Sequence, residues 1–403
     1  MKSCGLIVEY NPFHNGHLHH LIQSKVKTNS DIVIAVMSGT FLQRGEPAII
    51  DKFHRTKAAL QNGIDVVLEL PFAFSCQYAD LFAKGAIMTL AKIGVESICF
   101  GSEHGEISPF IKSYLHFKEN EEQFHSKLKH FLNEGLSFPQ ASTKAYDAIG
   151  MTDVGLDLSL PNNILGYSYV KAIKELKVNI KPDTIKRTKS QYHDEKIEHQ
   201  ISSATSIRKE ILENKKVTET AKKALPNSTV KQLVDYKKKY EVWHHWELYF
   251  PLLQYLVQTK SLDELRNIQG VDEGLEYRLK QTAPQVESFH EWMEKLKTKR
   301  YTWTRLQRLF CYLLTNTKKE EIDHIKQLND IPYVRILGMS ENGRAFIQSR
   351  KKQIDVPLIT NMQQLDTPIL ELEEKATNAY YSVIKPKIKK ALKKQELTGP
   401  ILL

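Results

Sequence analysis

The chain has 403 residues, a formal net charge of +10, 41% hydrophobic residues and 26% charged residues. This balance is typical of a globular protein with two or three domains, and it excludes a disordered or collagen-like chain. No window holds the run of about 18 apolar residues that a membrane helix needs, so no membrane partner is expected.

The first half of the chain alternates predicted strands and helices. Ile32–Met37 is a near-continuous run of branched and apolar residues, as expected for a strand buried on both faces. In chain order, strands are predicted at Leu6–Glu9, Ile32–Met37, Val66–Leu70, Val95–Phe100 and Asn179–Lys186, and helices at Gly16–Lys27, Lys52–Gln61, Gln77–Lys92, Ile107–Leu136 and Asn162–Leu176. This order predicts an α/β fold with a Rossmann-like, doubly wound parallel sheet, in which ligands bind beyond the carboxyl ends of the strands.

The second half is predicted to be mostly α-helical from about residue 205. Its Leu-rich amphipathic segments are Trp246–Val257, Leu262–Ile268, Leu275–Lys280, Val286–Leu296 and Thr304–Leu314, and a short strand is predicted at Tyr333–Leu337. A lysine-rich join near residues 210–230 divides the chain into two predicted domains, a catalytic domain at 1–212 and a basic, mostly helical domain at 213–403.

The net positive charge of the chain comes entirely from the second half. Residues 1–200 hold 22 Lys and Arg and 22 Asp and Glu, whereas residues 201–403 hold 35 and 25. A neutral half joined to a basic half favours a small-molecule catalytic domain beside a domain that binds a polyanion. Lysine-rich solvated helices explain the same asymmetry, so charge alone leaves both interpretations open.

Cysteine usage and the N-terminus both favour a cytoplasmic protein. The four cysteines are scattered and form no CxxC pair, which predicts neither a disulfide framework nor a cysteine zinc site. The short apolar run at the N-terminus is broken by Glu9, so no signal peptide is expected.

The first loop carries the residues best suited to phosphate chemistry. Just after the first strand stands Asn11-Pro12-Phe13-His14-Asn15-Gly16-His17. Gly16 lets the backbone approach a phosphate, and the helix start that follows is expected to offer free N–H groups and the positive end of the helix dipole. The imidazoles of His14 and His17 can donate to phosphoryl oxygens and stabilise the charge that develops as pyrophosphate leaves.

Metal binding is the competing interpretation of this loop. Four histidines fall between positions 14 and 20, but carboxylates with ligand spacing are lacking nearby, so no metal-ligating residue is predicted. On their own pattern, His19 and His20 are interpreted as ordinary residues of the helix.

A second phosphate-binding helix start is predicted at Ile201-Ser202-Ser203-Ala204-Thr205-Ser206-Ile207-Arg208. Hydroxyls and free N–H groups at a helix N-terminus bind phosphate, and Thr205 and Arg208 are three residues apart and face one way. Alone this is an ordinary Ser/Thr cap. Together with the first loop it favours phosphate contacts from Ser203, Thr205, Ser206 and Arg208.

The two motifs resemble the nucleotidyltransferase superfamily with its HxGH signature, whose members attack the α-phosphate of a nucleoside triphosphate. More of the chain narrows the match. The segments Gly5–His17, Met37–Ala48, Leu68–Pro71, Phe100–Glu103 and Pro161–Tyr167 are similar to those of the bacterial tRNA(Met) cytidine acetate ligase family, and the resemblance covers essentially the full length.

The resemblance implies a ligase that joins acetate to RNA. In that family acetate and ATP form acetyl-adenylate with release of pyrophosphate, and the N4 amine of the wobble cytidine in elongator tRNA(Met) takes the acetyl group. ATP is then a co-substrate, and Mg²⁺ is expected because ATP phosphates usually carry it. A wobble base lies in a single-stranded loop, which proteins recognise by stacking and edge contacts. No obligatory protein partner is inferred.

The resemblance, with the two motifs, also assigns site residues. Catalytic roles fall on His14, His17 and Arg208. The implied ATP contacts are Ile7, Val8, Glu9, Tyr10, Asn11, Pro12, Phe13, His14, Asn15, Gly16, His17, Leu18, His19, His20, Gly101, Asn162, Arg187 and Thr188, in addition to Ser203, Thr205, Ser206 and Arg208.

Two further segments are candidates for the acceptor. Gln43 and Arg44 follow the second strand, and Arg44 is suited to hold acetate or an RNA phosphate unless the loop is simply salt-bridged. Lys295–Arg308 mixes cations with aromatic residues and is the best RNA candidate of the second half. The alternative is a helix with Trp303, Leu306 and Leu309 turned inward and its charges outward. The predicted tRNA contacts are Lys297, Lys299, Arg300, Arg305 and Arg308.

Three other charged or aromatic segments are given ordinary structural interpretations or left open. The six lysines of Lys385–Lys394 either contact the tRNA backbone or form a solvated tail. Asp51–Arg55 is interpreted as a solvated helix start. Trp243–Trp246 is interpreted as core packing.

Two other classes of function stay open. A small-metabolite adenylyltransferase of the pantetheine or pyridine-nucleotide type explains the first half but leaves the basic half without a role. A non-catalytic RNA-binding protein predicts RNA retention without ATP turnover, and the intact His14, Gly16, His17 and Arg208 weigh against it.

Overall fold

The computed structural model describes residues 1–187, 202–272 and 274–403. The strands are β1 (Ser3–Val8), β2 (Ile32–Ser38), β3 (Val66–Leu70), β4 (Ser97–Ser102), β5 (Lys181–Lys186), β6 (Val334–Met339), β7 (Leu358–Ile359) and β8 (Ile401–Leu402). The helices of the first half are α1 (Asn15–Thr28), α2 (Lys52–Gln61), α3 (Phe72–Ser75), α4 (Ala79–Lys92), α5 (Ile107–Glu119), α6 (Glu121–Asn133), α7 (Phe138–Ala148), α8 (Pro161–Glu175) and α9 (Ala204–Asn214).

The second half contributes the remaining helices. They are α10 (Glu219–Lys223), α11 (Asn227–Tyr240), α12 (Phe250–Thr259), α13 (Leu262–Arg266), α14 (Leu275–Thr282), α15 (Phe289–Leu296), α16 (Trp303–Leu314), α17 (Lys319–Gln327), α18 (Glu341–Arg350), α19 (Pro368–Tyr380) and α20 (Pro386–Glu396). Among the described residues, no helix combines the length and the apolar character needed to span a membrane.

One sheet joins all the described strands, in the order β5-β4-β1-β2-β3-β6-β7 with β8 beside β6. Strands β1 to β5 are parallel, and β6 pairs with β3 in the antiparallel sense. The chain starts in the middle of the sheet, moves outward to β3, and returns across β1 to β4 and β5. This is the predicted doubly wound arrangement, so the predicted fold class is confirmed.

The sheet is covered on both faces by helices. Along β2, Val33, Ala35 and Met37 belong to a core shared with α1 and α2, and the alternate residues Ile34 and Val36 belong to a core shared with α4 and α8. Successive side chains of a strand point to opposite faces, so a strand between two helical layers must be apolar at every position. The Val and Ile run of β2 meets that requirement.

The predicted elements differ from the structure in a few places. The helix expected over Ile107–Leu136 is two helices, α5 and α6, with Asn120 between them. The Asn120 side chain donates to the His116 carbonyl at 2.9 Å and so competes with the helical hydrogen bonds. The short strands β7 and β8 were not predicted, because two residues carry no periodicity.

The second half contributes strands to the same sheet as the first half. β6, β7 and β8 all come from residues beyond 213, and β6 pairs directly with β3. The larger apolar core likewise includes residues from both halves. The domain boundary at 212/213 stays a prediction. The basic half is mostly helical and contributes the strands β6, β7 and β8.

A buried arginine fixes the carboxyl ends of β1 and β2. Arg55 on α2 is 1% exposed and donates to the carbonyls of Glu9 at 2.6 Å and Ser38 at 3.0 Å, and also to that of Gly39. Unpaired carbonyls at the end of a buried strand are costly unless a donor satisfies them. Arg55 therefore holds together the two strand ends from which the first loop and the Gly39–Glu46 segment depart.

The interpretation of Asp51–Arg55 as a solvated helix start was wrong. Lys52 is fully buried and lies 2.5 Å from Glu69, 3.3 Å from Glu373 and 3.1 Å from Glu396. Arg335 on β6 pairs with Glu69 and Glu396, each at 2.8 Å. Two cations and three carboxyl groups thus join α2, β3, β6, α19 and α20. Trp243–Trp246 does pack in the core, as predicted.

The three carboxyl groups do not share one protonation state. Burial alone would raise the pKa of Glu69, but Lys52 and Arg335 lower that pKa to about 2. Burial and then the charge of Glu69 raise the pKa of Glu373 to about 8. Glu373 is therefore mostly protonated at pH 7, which leaves two cations facing two carboxylates.

We expect Glu373→Gln to be tolerated and Lys52→Met to be strongly destabilising. Glutamine reproduces a protonated carboxyl group, so its effect at pH 7 should be about 1 kcal/mol or less. Lys52→Met leaves buried carboxylates without their cation and should cost about 3–5 kcal/mol. Urea unfolding followed by circular dichroism measures both, and equal losses for the two variants would contradict this assignment.

The pH dependence of the same pair tests the protonation of Glu373. The folded state holds this proton up to about pH 8 whereas a free carboxyl group loses it near 4.5. The wild type should therefore lose stability relative to Glu373→Gln as pH rises from 5 to 8. A constant difference between the two proteins over that range would show that Glu373 is ionised throughout.

Candidate active site

The site lies at the carboxyl end of β1, where the chain passes into α1. Tyr10 has a φ of +49°, a left-handed conformation that is strained for an aromatic residue, and the Asn11–Pro12 peptide is cis. The Asn11 side-chain oxygen accepts from the Ile49 N–H at 2.7 Å. This hydrogen bond joins the first loop to the segment that precedes α2.

His14 caps α1 and His17 closes the cap. The Nδ1 atom of His14 accepts from the Gly16 N–H at 3.0 Å, and Nδ1 of His17 accepts from the His14 N–H at 3.3 Å. The two rings stack with centroids 3.8 Å apart. Since both Nδ1 atoms are acceptors, the Nε2 atom of each neutral ring carries the proton and is the donor available to a ligand.

Both imidazoles are neutral at physiological pH. Burial, and then the positive charges of Arg187 and Arg208, lower the pKa of His14 to about 3. Burial also holds the pKa of His17 well below its usual range, with His14, His20 and Arg187 acting in the same direction. A positive site is therefore built from arginines, with the histidines as neutral hydrogen-bond donors.

The prediction of free N–H groups at the start of α1 was wrong. The Asn15 N–H donates to the Ala224 carbonyl at 3.0 Å, and the Asn15 side chain donates to the Lys223 carbonyl at 2.9 Å. The Gly16 N–H is taken by the His14 ring. The chain after α10 thus supplies acceptors that the local sequence could not reveal, and α1 retains only its dipole for an anion.

Arg187 reaches the histidines from the end of β5. Its N–H donates to the Ser102 carbonyl at 2.9 Å, which continues the pairing of β5 with β4. A Cβ on Gly101 would lie 3.2 Å from Cγ of Arg187, so the absent side chain lets Arg187 lie across the end of β4. Gly101 and Arg187 are thus brought together as the resemblance implies. Thr188 lies outside the described residues.

Arg208 joins α9 to the first loop. Its guanidinium donates to the Asn11 carbonyl at 2.9 Å and to the Glu46 carboxylate at 2.6 Å. The helix start that holds Thr205 therefore meets the loop that holds His17, although the two lie almost 200 residues apart in the chain. The two predicted phosphate-binding motifs form one site.

Within the start of α9 the predicted residues divide into two groups. Ser203 is the N-cap and accepts from the Ser206 N–H at 3.1 Å, and the buried Ser206 hydroxyl donates to the Ser203 carbonyl at 2.9 Å. Both the N–H group and the hydroxyl of Ser206 therefore donate to Ser203 within the helix cap. Thr205 is exposed, and among the described residues the N–H groups of Ala204 and Thr205 have no acceptor, which is the arrangement that favours an anion.

Asn162 opens α8 beside the end of β4. Its side-chain amide donates to the Glu103 carboxylate at 2.6 Å, and the N–H groups of Asn162 and Asn163 donate to the same carboxylate at 3.2 and 2.8 Å. Glu103 therefore occupies the N-terminus of α8, as expected for an acid at a helix start. The bond fixes the Asn162 amide and leaves its oxygen as the acceptor for a ligand.

The Gln43–Glu46 segment borders the other side of the first loop. The Gln43 N–H donates to the Glu9 carboxylate at 2.8 Å. Burial raises the pKa of Glu9, Glu46 adds to that effect, and Arg44 and Arg208 oppose it. The predicted acceptor residues Gln43 and Arg44 therefore lie next to the carboxyl end of β1, with charges of both signs around them.

The predicted tRNA-binding residues are not equivalent. Lys297, Lys299 and Arg300 are exposed, in the turn before α16. Arg308 is half-buried and donates to the carbonyls of Gln43 at 3.4 Å and Gln77 at 3.2 Å, so it joins the two halves of the chain.

Arg305 is also engaged within the protein. It lies 3.8 Å from the Asp272 carboxylate and over the ring of Tyr301. Leu306 and Leu309 are buried and Trp303 is half-buried, which agrees with the alternative in which these three side chains turn inward.

The remaining predicted contacts surround the histidines. Phe13 and Tyr10 are buried against the His17 ring, and Ile7 and Val8 are the last residues of β1. Leu18 and His19 lie on α1, with His19 exposed.

Three buried polar atoms in this region have no partner among the described residues. They are the Tyr10 hydroxyl, the Asn11 Nδ2 atom and the His20 Nε2 atom. Burial, followed by Arg187, lowers the pKa of His20 to about 4. Orphaned polar groups are rare in folded proteins and are common where a ligand completes the hydrogen bonding.

The described residues hold no cluster of three or more His, Cys, Asp or Glu that would suit a metal ion.

Sequence reasoning missed two acidic residues that position the site. Glu46 holds Arg208, and Glu103 holds Asn162. Both lie in segments already singled out by the resemblance, but their partners are 162 and 59 residues away in the chain. A carboxylate in each loop that follows a strand was the available signal.

Comparison with known proteins identifies relatives over the whole chain. The family model for HIGH nucleotidyl transferases matches residues 1–396. A tRNA(Met) cytidine acetate ligase from Oceanobacillus iheyensis is 54% identical over 404 residues and covers all of both chains. The protein of the same name from Bacillus subtilis is 43% identical, over 94% of this chain and 92% of its own.

Two solved structures share the fold closely. The apo crystal structure of Thermotoga maritima TmcAL is 34% identical, covers all of both chains and superposes with a TM-score of 0.91. The crystal structure of the same protein bound with alpha-thio ATP is 33% identical with the same coverage and a TM-score of 0.90.

We expect the imidazoles of His14, His17 and His20 to stay neutral from pH 5 to pH 8. Because the unfolded chain binds protons near pH 6.5 and these rings do not, the folded state should also lose stability as pH falls from 6.5 toward 4. Imidazole Cε1 resonances, assigned with single His→Gln variants, measure the titration. A midpoint near 6.5 for His14 or His17 would overturn the assignment of neutral donors.

Proposed function

The chain belongs to the HIGH nucleotidyl transferase family and to its tRNA(Met) cytidine acetate ligase members, and from this membership we propose that it uses ATP to acetylate N4 of the wobble cytidine in elongator tRNA(Met). The observation that carries the proposal is the contact of Arg208 with the Asn11 carbonyl. It brings the start of α9 to the HxGH loop, as binding of one triphosphate by both segments would require.

The first step forms acetyl-adenylate. One oxygen of acetate attacks the α-phosphorus of ATP, the bond from that phosphorus to the bridging oxygen of the β-phosphate breaks, and pyrophosphate leaves. Acetate is already an anion, so no general base is needed. The step depends on positioning and on charge stabilisation, which the Nε2–H groups of His14 and His17 and the guanidinium groups of Arg187 and Arg208 supply.

Neutral histidines suit this step. Two imidazolium ions stacked 3.8 Å apart beside two arginines would repel each other. A neutral ring with its proton fixed on Nε2 donates to a phosphoryl oxygen without adding to that repulsion. The backbone hydrogen bonds to both Nδ1 atoms fix this tautomer before the nucleotide arrives.

The ATP-binding part of the proposal uses the remaining predicted contacts. Gly101 and Arg187 border the phosphates, the exposed Thr205 and its N–H group face an anion, and Asn162 offers its oxygen to the nucleoside. Mg²⁺ would enter with the triphosphate, because the described residues form no cage for it. It would neutralise phosphate charge.

The second step transfers the acetyl group to RNA. The N4 amine attacks the acyl carbon of acetyl-adenylate, the bond from that carbon to the phosphate oxygen breaks, AMP leaves, and N4 loses a proton. Gln43 and Arg44 lie at the carboxyl end of β2, beside β1, and are suited to hold acetate or an RNA phosphate there. The proposed tRNA contacts are Lys297, Lys299, Arg300 and Arg305. Arg308 is no longer among them, because its guanidinium group donates to the Gln43 and Gln77 carbonyls.

The decisive experiment follows the acetyl group. The protein is incubated with ATP, labelled acetate and total tRNA, and the digested RNA is analysed by mass spectrometry. Label is expected as N4-acetylcytidine in elongator tRNA(Met), accompanied by pyrophosphate. Label in a tRNA without a wobble cytidine, or no label, would count against the proposal.

We expect His17→Ala to abolish activation while preserving RNA binding. Loss of one hydrogen-bond donor to the transferring phosphoryl group should reduce acetate-dependent ATP–pyrophosphate exchange by about 10²–10³. The Kd for tRNA, measured by filter binding, should change by less than about twofold because His17 is a neutral ring that removes no phosphate-binding charge when it is replaced.

His125→Ala on α6 is the matched control, since this histidine is exposed and far from the loop in the chain. If His125→Ala loses as much exchange activity as His17→Ala, or if His17→Ala also loses tRNA binding, the assigned role of His17 is wrong.

A further inference from the structure

Two helices, α11 and α20, are rich in lysine. The segments 227–241 and 385–396 hold ten lysines against Asp235, Glu241 and Glu396, a net charge of +7 within a chain of net charge +10. We call the exposed lysines of these helices the basic face. They are Lys231, Lys238 and Lys239 on α11 and Lys387, Lys390, Lys393 and Lys394 on α20.

The two helices form one surface. They pack against each other, and the exposed Lys385 at the start of α20 pairs with Glu241 at the end of α11. α20 is not a solvated tail, because Leu392 is buried in the core and Glu396 is held by Lys52 and Arg335. The lysines are therefore presented on a fixed scaffold rather than on a mobile end.

The lysines of α20 are not neutralised within the protein. Among the described residues, the five lysines from 387 to 394 have no carboxylate within ion-pair distance, whereas Lys92 and Lys171 elsewhere have carboxylates at 2.5 and 3.0 Å. Lys387, Lys390 and Lys394 are spaced three and four residues apart, so their like charges repel along one side of the helix. A polyanion lying on this side would remove that repulsion.

The basic face is connected to the catalytic loop. The carbonyls of Lys223 and Ala224 accept from Asn15 at the start of α1, and α11 begins three residues after Ala224. Asn62, which follows α2, donates to the Ser228 hydroxyl at 2.6 Å. α11 has 14 residues and so extends roughly 21 Å away from this contact.

We propose that the basic face of α11 and α20 binds the phosphate backbone of the tRNA, next to the anticodon loop whose wobble base enters the active site. The proposal rests on the acetylation of tRNA(Met) inferred above. Lysines on a helix surface that have no carboxylate partner can bind backbone phosphates. Such contacts position the RNA without reading its sequence. The 297–308 segment is then a secondary contact, since Arg305 and Arg308 are engaged within the protein.

The test variant is Lys387→Gln/Lys390→Gln/Lys394→Gln, and the matched control is Lys112→Gln/Lys127→Gln/Lys129→Gln on the exposed surface of α5 and α6. Removing three phosphate contacts should raise the Kd for tRNA by about 10- to 100-fold at moderate salt and should lower the slope of log Kd against log salt by about 2–3. The control should change neither quantity.

Acetate-dependent ATP–pyrophosphate exchange without tRNA separates this proposal from the proposed function. The basic-face variant should retain wild-type exchange, which also shows that it is folded. If the wild-type protein shows no such exchange, the proposed function fails, and the binding measurements still report on the basic face. An unchanged Kd and salt slope in the basic-face variant overturn the proposal.

Two more comparisons identify other occupants. If Lys297→Gln/Lys299→Gln/Arg300→Gln loses more tRNA binding than the basic-face variant, the main docking surface lies before α16 and the proposal is wrong. If the basic-face variant binds tRNA normally but loses binding to vesicles rich in phosphatidylserine, the face is a lipid-binding surface instead.

Discussion

The geometry of the site depends on the buried guanidinium group of Arg55. It donates to the carbonyl of Glu9, just after β1, and to that of Ser38, the last residue of β2, which would otherwise lack partners beyond the strand ends. The loop that holds His14 leaves β1 at this point, and the loop that holds Gln43 leaves β2 beside it. Both sides of the active site therefore start from strand ends that one side chain holds in register.

The positive character of the phosphate site comes from arginines and a helix start, and its histidines contribute donors without charge. Arg187 and Arg208 reach the first loop from β5 and α9, two elements remote from it in sequence. Burial is the main cause that lowers the pKa of His14 and of His17, and Arg187 adds to it at both rings. Backbone N–H groups occupy both Nδ1 atoms, so each ring has one defined donor. Neither ring is expected to change its charge near neutral pH.

Local patterns predicted the fold and the segments that meet at the candidate site, and long-range pairs account for what these patterns missed. The five parallel strands were predictable because strands buried on both faces must be apolar throughout, and the HxGH loop and the start of α9 carry their chemistry in contiguous residues. Asp51–Arg55 was misjudged because two of the three carboxyl partners of Lys52, Glu373 and Glu396, lie more than 300 residues away in the chain. The Asn15 N–H of α1 was misjudged for the same reason, since its acceptor, the Ala224 carbonyl, lies just after α10.

Gly45 lies where the loop after β2 contacts α16 of the helical half. Its φ is +78°, and a Cβ there would overlap the backbone of Arg308 on α16. The loop and the helix thus meet main chain to main chain, with no side chain between them to yield. Glu46, the next residue, holds Arg208 through its carboxylate. A side chain at position 45 would force the loop and α16 apart and so displace the carboxylate on which the guanidinium group rests.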